Sequence, residues 1–312
     1  MSTRRVPELS LFSYTKGNDR NRQEFIDLLF KGLKDYGFIV LTEHLVEQKK
    51  VDEAYKHLEN FFNLSIEAKL KYTGVQGGQR GYTPFKTEHA KDNKNPDLKE
   101  FWHVGRELPA NHRYASVYPQ NIWPAEIPDF KATMQTLYTA MDATSQVLLE
   151  AIGAGLDLPK TFFRDFSAEG NSIVRAIKYP PVVGQDTKNC VRSAAHGDIN
   201  LITLLVGATA SGLQLLDRDG AWLNVQSAPG QIVVDTGDMM ARLTNDVLPS
   251  TTHRVVNPDD EGSTRYSMPF FVHPNPDAII SCLPSCVGTG AKYEPISSHD
   301  FLMERLRQIG LY

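Results

Sequence analysis

Apolar residues recur every three or four positions in the first third of the chain and cluster in short β-type runs in the last half, so the pattern predicts helices first and strands later. Between Asn21 and Tyr36, Phe25, Leu28, Leu29 and Leu33 fall on one helical face, and Gly37 ends that helix ahead of the β-type run FIVL. Val51, Ala54, Leu58 and Phe61 mark a second amphipathic helix. Gly, Pro and Asn crowd Thr73 to Pro128, which predicts loop with short elements, a kind of stretch that often carries function. The longest stripe is Phe130, Met134, Leu137, Met141, Thr144, Leu148 and Ile152; it predicts a helix that ends near Gly153 to Gly155 and is long enough to back a barrel.

After Asn171, eight runs separated by turn signals read as strands: SIVRAIKY, NLITLLVG, LQLL, WLNV, QIVVD, THRVV, RYSMPFFV and AIIS. Short strands at close spacing behind a helical half predict a double-sheet jelly roll packed against helices. The expected fold class is therefore mainly β with flanking helices. An N-terminal helical and loop region, residues 1–125, packs on the core without being an independent domain, and residues 126–312 supply the long helix and the strands. The spacing of Phe301, Leu302 and Leu306 predicts a terminal helix held by packing.

At 312 residues and 41% apolar content the chain can bury one large core. A formal charge of −4 leaves no basic excess for phosphates, which argues against nucleic acid and an anionic membrane and for a small-molecule partner. Cys190, Cys282 and Cys286 form an odd set, poor material for disulfides and suited to a reducing cytosol. MSTRRVPELSLF has no apolar core of a signal peptide, and no later run approaches the apolar length that spans a bilayer. A soluble, cytoplasmic protein is expected.

Candidate chemistry starts in SAAHGDINLITLLVG. His196 and Asp198 are one residue apart, and on a strand positions i and i+2 share a face, so both are expected to aim at one interior point. His253, in THRVV, would join them from another strand. Two imidazoles and one carboxylate occupy one face of a six-coordinate ion and leave three positions open, the donor set of non-haem Fe(II) oxygenases. Zinc would ask for a tetrahedral set with cysteine or a third nitrogen, and the chain has no C-x-x-C. His44, His57, His89, His103, His112, His273 and His299 lack a matched carboxylate and read as surface or satisfied core residues. Arg265 and Ser267, two apart in TRYSMPFF, place a guanidinium and a hydroxyl on one strand face, where together they can clamp a carboxylate.

H-x-D at His196 to Asp198, distal His253 and R-x-S at Arg265 to Ser267 together resemble the Fe(II)/2-oxoglutarate-dependent dioxygenases. More narrowly, the chain is similar to the branch containing isopenicillin N synthase and the plant flavonoid and gibberellin oxidases. DYGFIVLTEH, RGYTPF, KYPP, SGLQLLDRDGAWLNV, GDMMARLTND and RYSMPFF carry the likeness through most of the sequence. The resemblance implies a distorted double-stranded β-helix core with Fe(II) on His196, Asp198 and His253. It implies 2-oxoglutarate anchored by Arg265, Ser267 and Tyr179 of KYPP, and O2 as oxidant, with ascorbate as an optional reductant. The implied reaction hydroxylates or otherwise oxidises a small organic molecule as 2-oxoglutarate becomes succinate and CO2. It also nominates Arg80, Tyr82 and Phe101 as walls of the substrate site, and Phe271, at an even offset from Ser267 on the same strand, is expected to line the same cavity. Ile177 stands where the plant enzymes carry an asparagine. Two other readings stay open at this point: an oxidase or oxidative cyclase that needs no 2-oxoglutarate, separable by succinate release, and a metal-binding jelly roll without turnover. The sequence does not give an oligomeric state.

Overall fold

The structure is a computed structural model that describes residues 4–73, 79–89, 95–183, 190–257 and 260–308. The helices are α1 (Leu11–Thr15), α2 (Asp19–Tyr36), α3 (Gln48–Phe62), α4 (Ile66–Leu70), α5 (Phe130–Gly155), α6 (Phe162–Ser167), α7 (Asp238–Leu243) and α8 (Ser298–Gln308). The strands begin with β1 (Glu8–Ser10), β2 (Phe38–Thr42), β3 (Gly81–Thr83), β4 (Glu100–Gly105) and β5 (Ile173–Tyr179). They continue with β6 (Ser193–His196), β7 (Ile202–Val206), β8 (Leu213–Leu216), β9 (Trp222–Asn224) and β10 (Ile232–Thr236), then β11 (His253–Val255), β12 (Arg265–Val272), β13 (Ile279–Ile280) and β14 (Ile296–Ser297).

Eight strands form the main sheet in the order β1-β2-β10-β7-β12-β5-β4-β3, four form a second sheet in the order β6-β11-β8-β9, and β13 pairs with β14. The pairings are antiparallel apart from β1 with β2. The two larger sheets make an open jelly roll. β1 to β4, all from the first 105 residues, are strands of the same sheet as β5, β7, β10 and β12.

Strand parity sorts the side chains into two layers. Ile39, Leu41, Trp102, Val104, Val174, Ala176, Leu204, Val234, Met268 and Phe270 point outward onto the apolar stripes of α2, α3 and α5. Their neighbours Phe38, Val40, Phe101, Ile177, Tyr179 and Val233 point inward and pack against Leu213, Leu215 and Val255 of the second sheet. Arg175, Tyr179, Arg265, Ser267 and Phe271 share this inward parity, because the outward one is filled by the helices.

All seven residues of the α5 stripe are buried, as are Val51, Ala54, Leu58 and Phe61 of α3. In α2, Phe25, Leu29 and Leu33 are buried while Leu28 is half exposed, one place outside the stripe. Gly37 caps α2 at φ 68° with its N–H on Leu33 O, and a Cβ there would lie 2.2 Å from Thr251 Oγ1. The eight predicted strand runs each form a strand. β1, β3, β4, β6 and β14 are additional: all six residues of EFWHVG are buried, so β4 has no alternation to read, and SAAH is too small and mixed to stand out. Residues 74–78 and 90–94 of the predicted loop stretch lie outside the described residues. Among the described residues no helix is long and apolar enough to cross a membrane.

Candidate active site

β6 ends on His196 and β11 begins with His253, and the two are cross-strand partners with ring centroids 4.5 Å apart. The His196 Nδ1–H donates to Ala194 O at 2.6 Å and the His253 Nδ1–H to Thr251 O at 3.2 Å. A carbonyl only accepts, so each ring keeps its lone pair on Nε2. Both Nε2 atoms lie 3.7 Å from Asp198 Oδ1. The three donor atoms fall within 4.8 Å of one another. Burial, then the neighbouring His253, push His196 down to about 4, so its ring is neutral at pH 7.

Strand alternation does not place Asp198, contrary to the sequence reading: β6 stops at His196, and Asp198 lies in the following irregular segment. The Thr203 hydroxyl donates to Asp198 Oδ2, which leaves Oδ1 to face the imidazoles. The Asp238 N–H, at the start of α7, donates to Asp198 O at 2.7 Å. A Cβ at Gly237 would lie 2.3 Å from Asn200 O and 2.8 Å from Asp198 O, so the residue before α7 must be glycine for the aspartate segment to cross it. Two imidazoles that present Nε2 and one carboxylate that presents Oδ1, all orientated by outer hydrogen bonds, fit a divalent iron with open positions.

A cavity of about 60 Å³ leads inward from the triad, with Asp198, Thr203 and His253 meeting Tyr179, Arg265 and Ser267 along it. Arg265 is 1% exposed. Its Nη1 donates to Ser267 Oγ at 3.2 Å and its Nε to Ala210 O at 3.1 Å, with the guanidinium 5.0 Å from the Tyr179 ring centroid. No carboxylate pairs with it among the described residues, and a buried cation in that state calls for an anion. Arg192, which the sequence reading missed, is a second fully buried guanidinium; burial, then the charge of Arg265, lower its pKa. Asp235 also lines this chamber, and burial together with the charge of Asp198 raises its carboxyl well above the usual range.

A larger cavity of about 410 Å³ opens on the other side of the triad and shares Asp198 and Phe271 with the first. Glu88 Oε1 accepts from Lys99 at 2.7 Å and from Arg175 at 2.9 Å, and Asp97 Oδ2 accepts from Lys99 at 2.9 Å. Burial alone would raise the Glu88 pKa, but Arg175 and Lys99 outweigh it and hold the group below the usual carboxylate range. Asp97 Oδ1 also accepts the Ala194 N–H at 3.0 Å, which ties this charged wall to β6.

Phe271 lines both cavities, as its parity with Ser267 predicts. Arg80, Tyr82 and Phe101 do not line the larger one. Tyr82 has the outward parity and packs on Phe61, with its hydroxyl on Glu100. Arg80 is 1% exposed, turned onto Gln79 O and Asn171 Oδ1 behind the wall. Phe101 lies beneath the Arg175 guanidinium, 4.4 Å from its ring centroid. His89, His103 and His273, read from sequence as ordinary histidines, do line the cavity. Helix α8 is more than a packed terminus: Phe301 anchors it in the core while Leu302, Arg305 and Leu306 close one side of the cavity. The signal for this wall was present in IVRAIKY, where a charge sits mid-strand on the inward parity.

Fold and donor set together define a non-haem Fe(II) oxygenase of the jelly-roll class, and comparison with known proteins gives the family. Residues 6–126 match the non-haem dioxygenase in morphine synthesis N-terminal family, and residues 170–274 match the 2OG-Fe(II) oxygenase superfamily. The 2-oxoglutarate-Fe(II) type oxidoreductase hxnY of Emericella nidulans is 33% identical over 87% of this chain and 81% of its own length. Among solved structures, a 2OG-Fe(II) oxygenase family protein from Caulobacter crescentus is 44% identical with a TM-score of 0.88, covering 98% of this chain and 99% of that one. A full-length Neurospora crassa protein solved in complex with alpha-KG and thymine is 28% identical with a TM-score of 0.86, covering 97% and 96%. The chain belongs to the Fe(II)/2-oxoglutarate oxygenase superfamily and is a 2-oxoglutarate-dependent dioxygenase, an oxidoreductase that uses Fe(II), 2-oxoglutarate and O2.

Proposed function

We propose that this enzyme hydroxylates a C–H bond of a small molecule held in the 410 Å³ cavity, with His196, Asp198 and His253 as the iron ligands and Arg265, Ser267 and Tyr179 as the anchor of the 2-oxoglutarate distal carboxylate. The observation that carries this assignment is the buried Arg265 guanidinium with no carboxylate partner among the described residues, at the far end of a chamber whose other end is the triad. When bound, Fe(II) supplies O2 activation coupled to decarboxylation of 2-oxoglutarate to succinate and CO2.

The chain's own residues orient and enclose. Ala194 O and Thr251 O fix the imidazole tautomers, Thr203 fixes the carboxylate, and α8 with Leu302 and Leu306 keeps water from the substrate chamber. Because the two cavities meet at Asp198 and Phe271, substrate and co-substrate approach the triad from different sides. Thymine in the Neurospora crassa complex is one small molecule held by a relative of this fold.

The N-terminal region 1–125 then completes the same unit as the core over 126–312, since its strands extend the main sheet. The three unpaired cysteines suit a reducing cytoplasm. The test is anaerobic addition of Fe(II) and then 2-oxoglutarate, watched for a visible charge-transfer band, followed by succinate release on admitting O2. Loss of the band in Arg265→Ala but not in Phe271→Ala supports the anchor; oxygen uptake indifferent to 2-oxoglutarate would refute it.

A further inference from the structure

Three polar atoms on the wall of the larger cavity are held in place from behind. Arg80 can only donate, so its Nη2, 2.9 Å from Asn171 Oδ1, fixes which way the Asn171 amide faces. Asn171 Nδ2 therefore donates to Gln79 Oε1 at 3.1 Å, and Gln79 is left to offer its Nε2–H to the cavity it lines. Arg175 places Nη1 on Glu88 and donates Nε–H to His103 Nε2 at 2.6 Å. Its guanidinium lies 4.4 Å from the Phe101 ring centroid and 5.3 Å from that of Phe271, and Nη2 remains. The His273 Nδ1–H donates to Phe271 O at 3.3 Å, so Nε2 is an acceptor; burial pushes this imidazole down to about 4 and keeps it neutral.

Gln79 Nε2, Arg175 Nη2 and His273 Nε2 have no hydrogen-bond partner among the described residues. They come from one region: Arg175 on β5, Phe271 and His273 at the end of β12 beside it, and Gln79 against Asn171 just before β5. The wall is also close to neutral. Lys99 and Arg175 are matched by Glu88 and Asp97, and Arg305 by Asp238 at 3.0 Å. Two donors and one acceptor beside an aromatic face, with no spare positive charge among the described residues, suit an uncharged flat ring that carries both carbonyl and N–H groups.

We propose that Gln79, Arg175 and His273 recognise a planar cyclic amide or imide stacked on Phe271, its ring carbonyls accepting from Arg175 and Gln79 and its ring N–H donating to His273 Nε2. Arg80 and Asn171 act as positioning residues behind Gln79. This rests on the larger cavity being the substrate chamber. An aromatic carboxylate would satisfy both donors but set an oxygen against the His273 lone pair, and a ring without carbonyls would leave both donors desolvated.

The full chain loaded with Mn(II) and 2-oxoglutarate is titrated calorimetrically with uracil and 2-pyridone, and with benzoate and pyridine as counter-probes. At least one of the two amides binds tenfold or more tighter than either counter-probe, and Gln79→Leu, Arg175→Met and His273→Leu each weaken that binding tenfold or more. Arg175 also neutralises buried Glu88, so if Arg175→Met does not fold, Gln79→Leu and His273→Leu decide the matter. Benzoate or pyridine binding as tightly as the amides, neither amide binding, or amide affinity unchanged in the folded variants would overturn the proposal. The 2-oxoglutarate titration is read separately: if it fails while the amides bind, the co-substrate assignment falls and this inference stands.

Discussion

Replacing Arg265 with methionine should weaken 2-oxoglutarate binding while leaving the ligand-free protein at least as stable. In the wild type the guanidinium is 1% exposed, and its hydrogen-bond partners among the described residues are Ala210 O and Ser267 Oγ. A hydrogen bond to a charged group contributes roughly 1.5–3 kcal/mol, so losing two to the distal carboxylate costs about 3–6 kcal/mol, or roughly 10²- to 10⁴-fold in affinity. Without 2-oxoglutarate the same cation has no anion among the described residues, and apolar replacement of buried charges is often neutral or stabilising by about 1–4 kcal/mol. The assay is thermal unfolding of the Mn(II) protein with and without 2-oxoglutarate, alongside a direct titration. At a hundredfold excess over its dissociation constant the co-substrate stabilises the wild type by about 2.7 kcal/mol, and at that same concentration the variant should gain almost nothing. A variant that keeps the 2-oxoglutarate-dependent rise in Tm would refute the reasoning. So would a ligand-free variant destabilised by more than about 3 kcal/mol, the cost expected when a needed partner of a buried pair is removed.

Thr203→Val removes the donor to Asp198 Oδ2 and should lower metal affinity about 10- to 100-fold without unfolding the protein, measured by Mn(II) titration. Gly237→Ala would drive a Cβ to 2.3 Å from Asn200 O; since that is backbone, the Asp198 segment must move, and metal-dependent stabilisation should be lost at neutral pH. His273, buried and held near 4, is neutral when folded, whereas the unfolded chain takes up a proton below its ordinary 6.5. Stability therefore falls as pH drops from 6.5 toward 4, by up to about 3 kcal/mol from this group, and denaturant titrations of His273→Gln should show a flatter loss over that window.

The long helices α2, α3 and α5 were legible because each buries a single stripe, and a stripe of period 3.6 is visible in one dimension: Val51 to Phe61 and Phe130 to Ile152 are buried as their spacing predicts, whereas the one-turn helices α1, α4, α6 and α7 are too short to show one. The shared inward face of Arg265, Ser267 and Phe271 was legible for a similar reason, since the three share the parity of one strand. β4 was not legible, because a strand buried on both faces has no alternation. Arg80 and Tyr82 were nominated from a loop motif, yet outward parity turns Tyr82 onto the helices, and Asn171 and Gln79 O draw Arg80 behind the wall.

The sequence by itself determined the donor types and their order: two imidazoles, a carboxylate and an R-x-S pair, whose chemistry follows from residue identity. Only the tertiary structure decided that His196 and His253 face each other across β6 and β11, and that Thr203 rather than strand pleating aims Asp198. It also decided that His103, Arg175 and His273 belong to a cavity wall. The physical reason is that ligand geometry, tautomer and burial are set by partners far away in the chain, and a linear pattern records only what is periodic along one element.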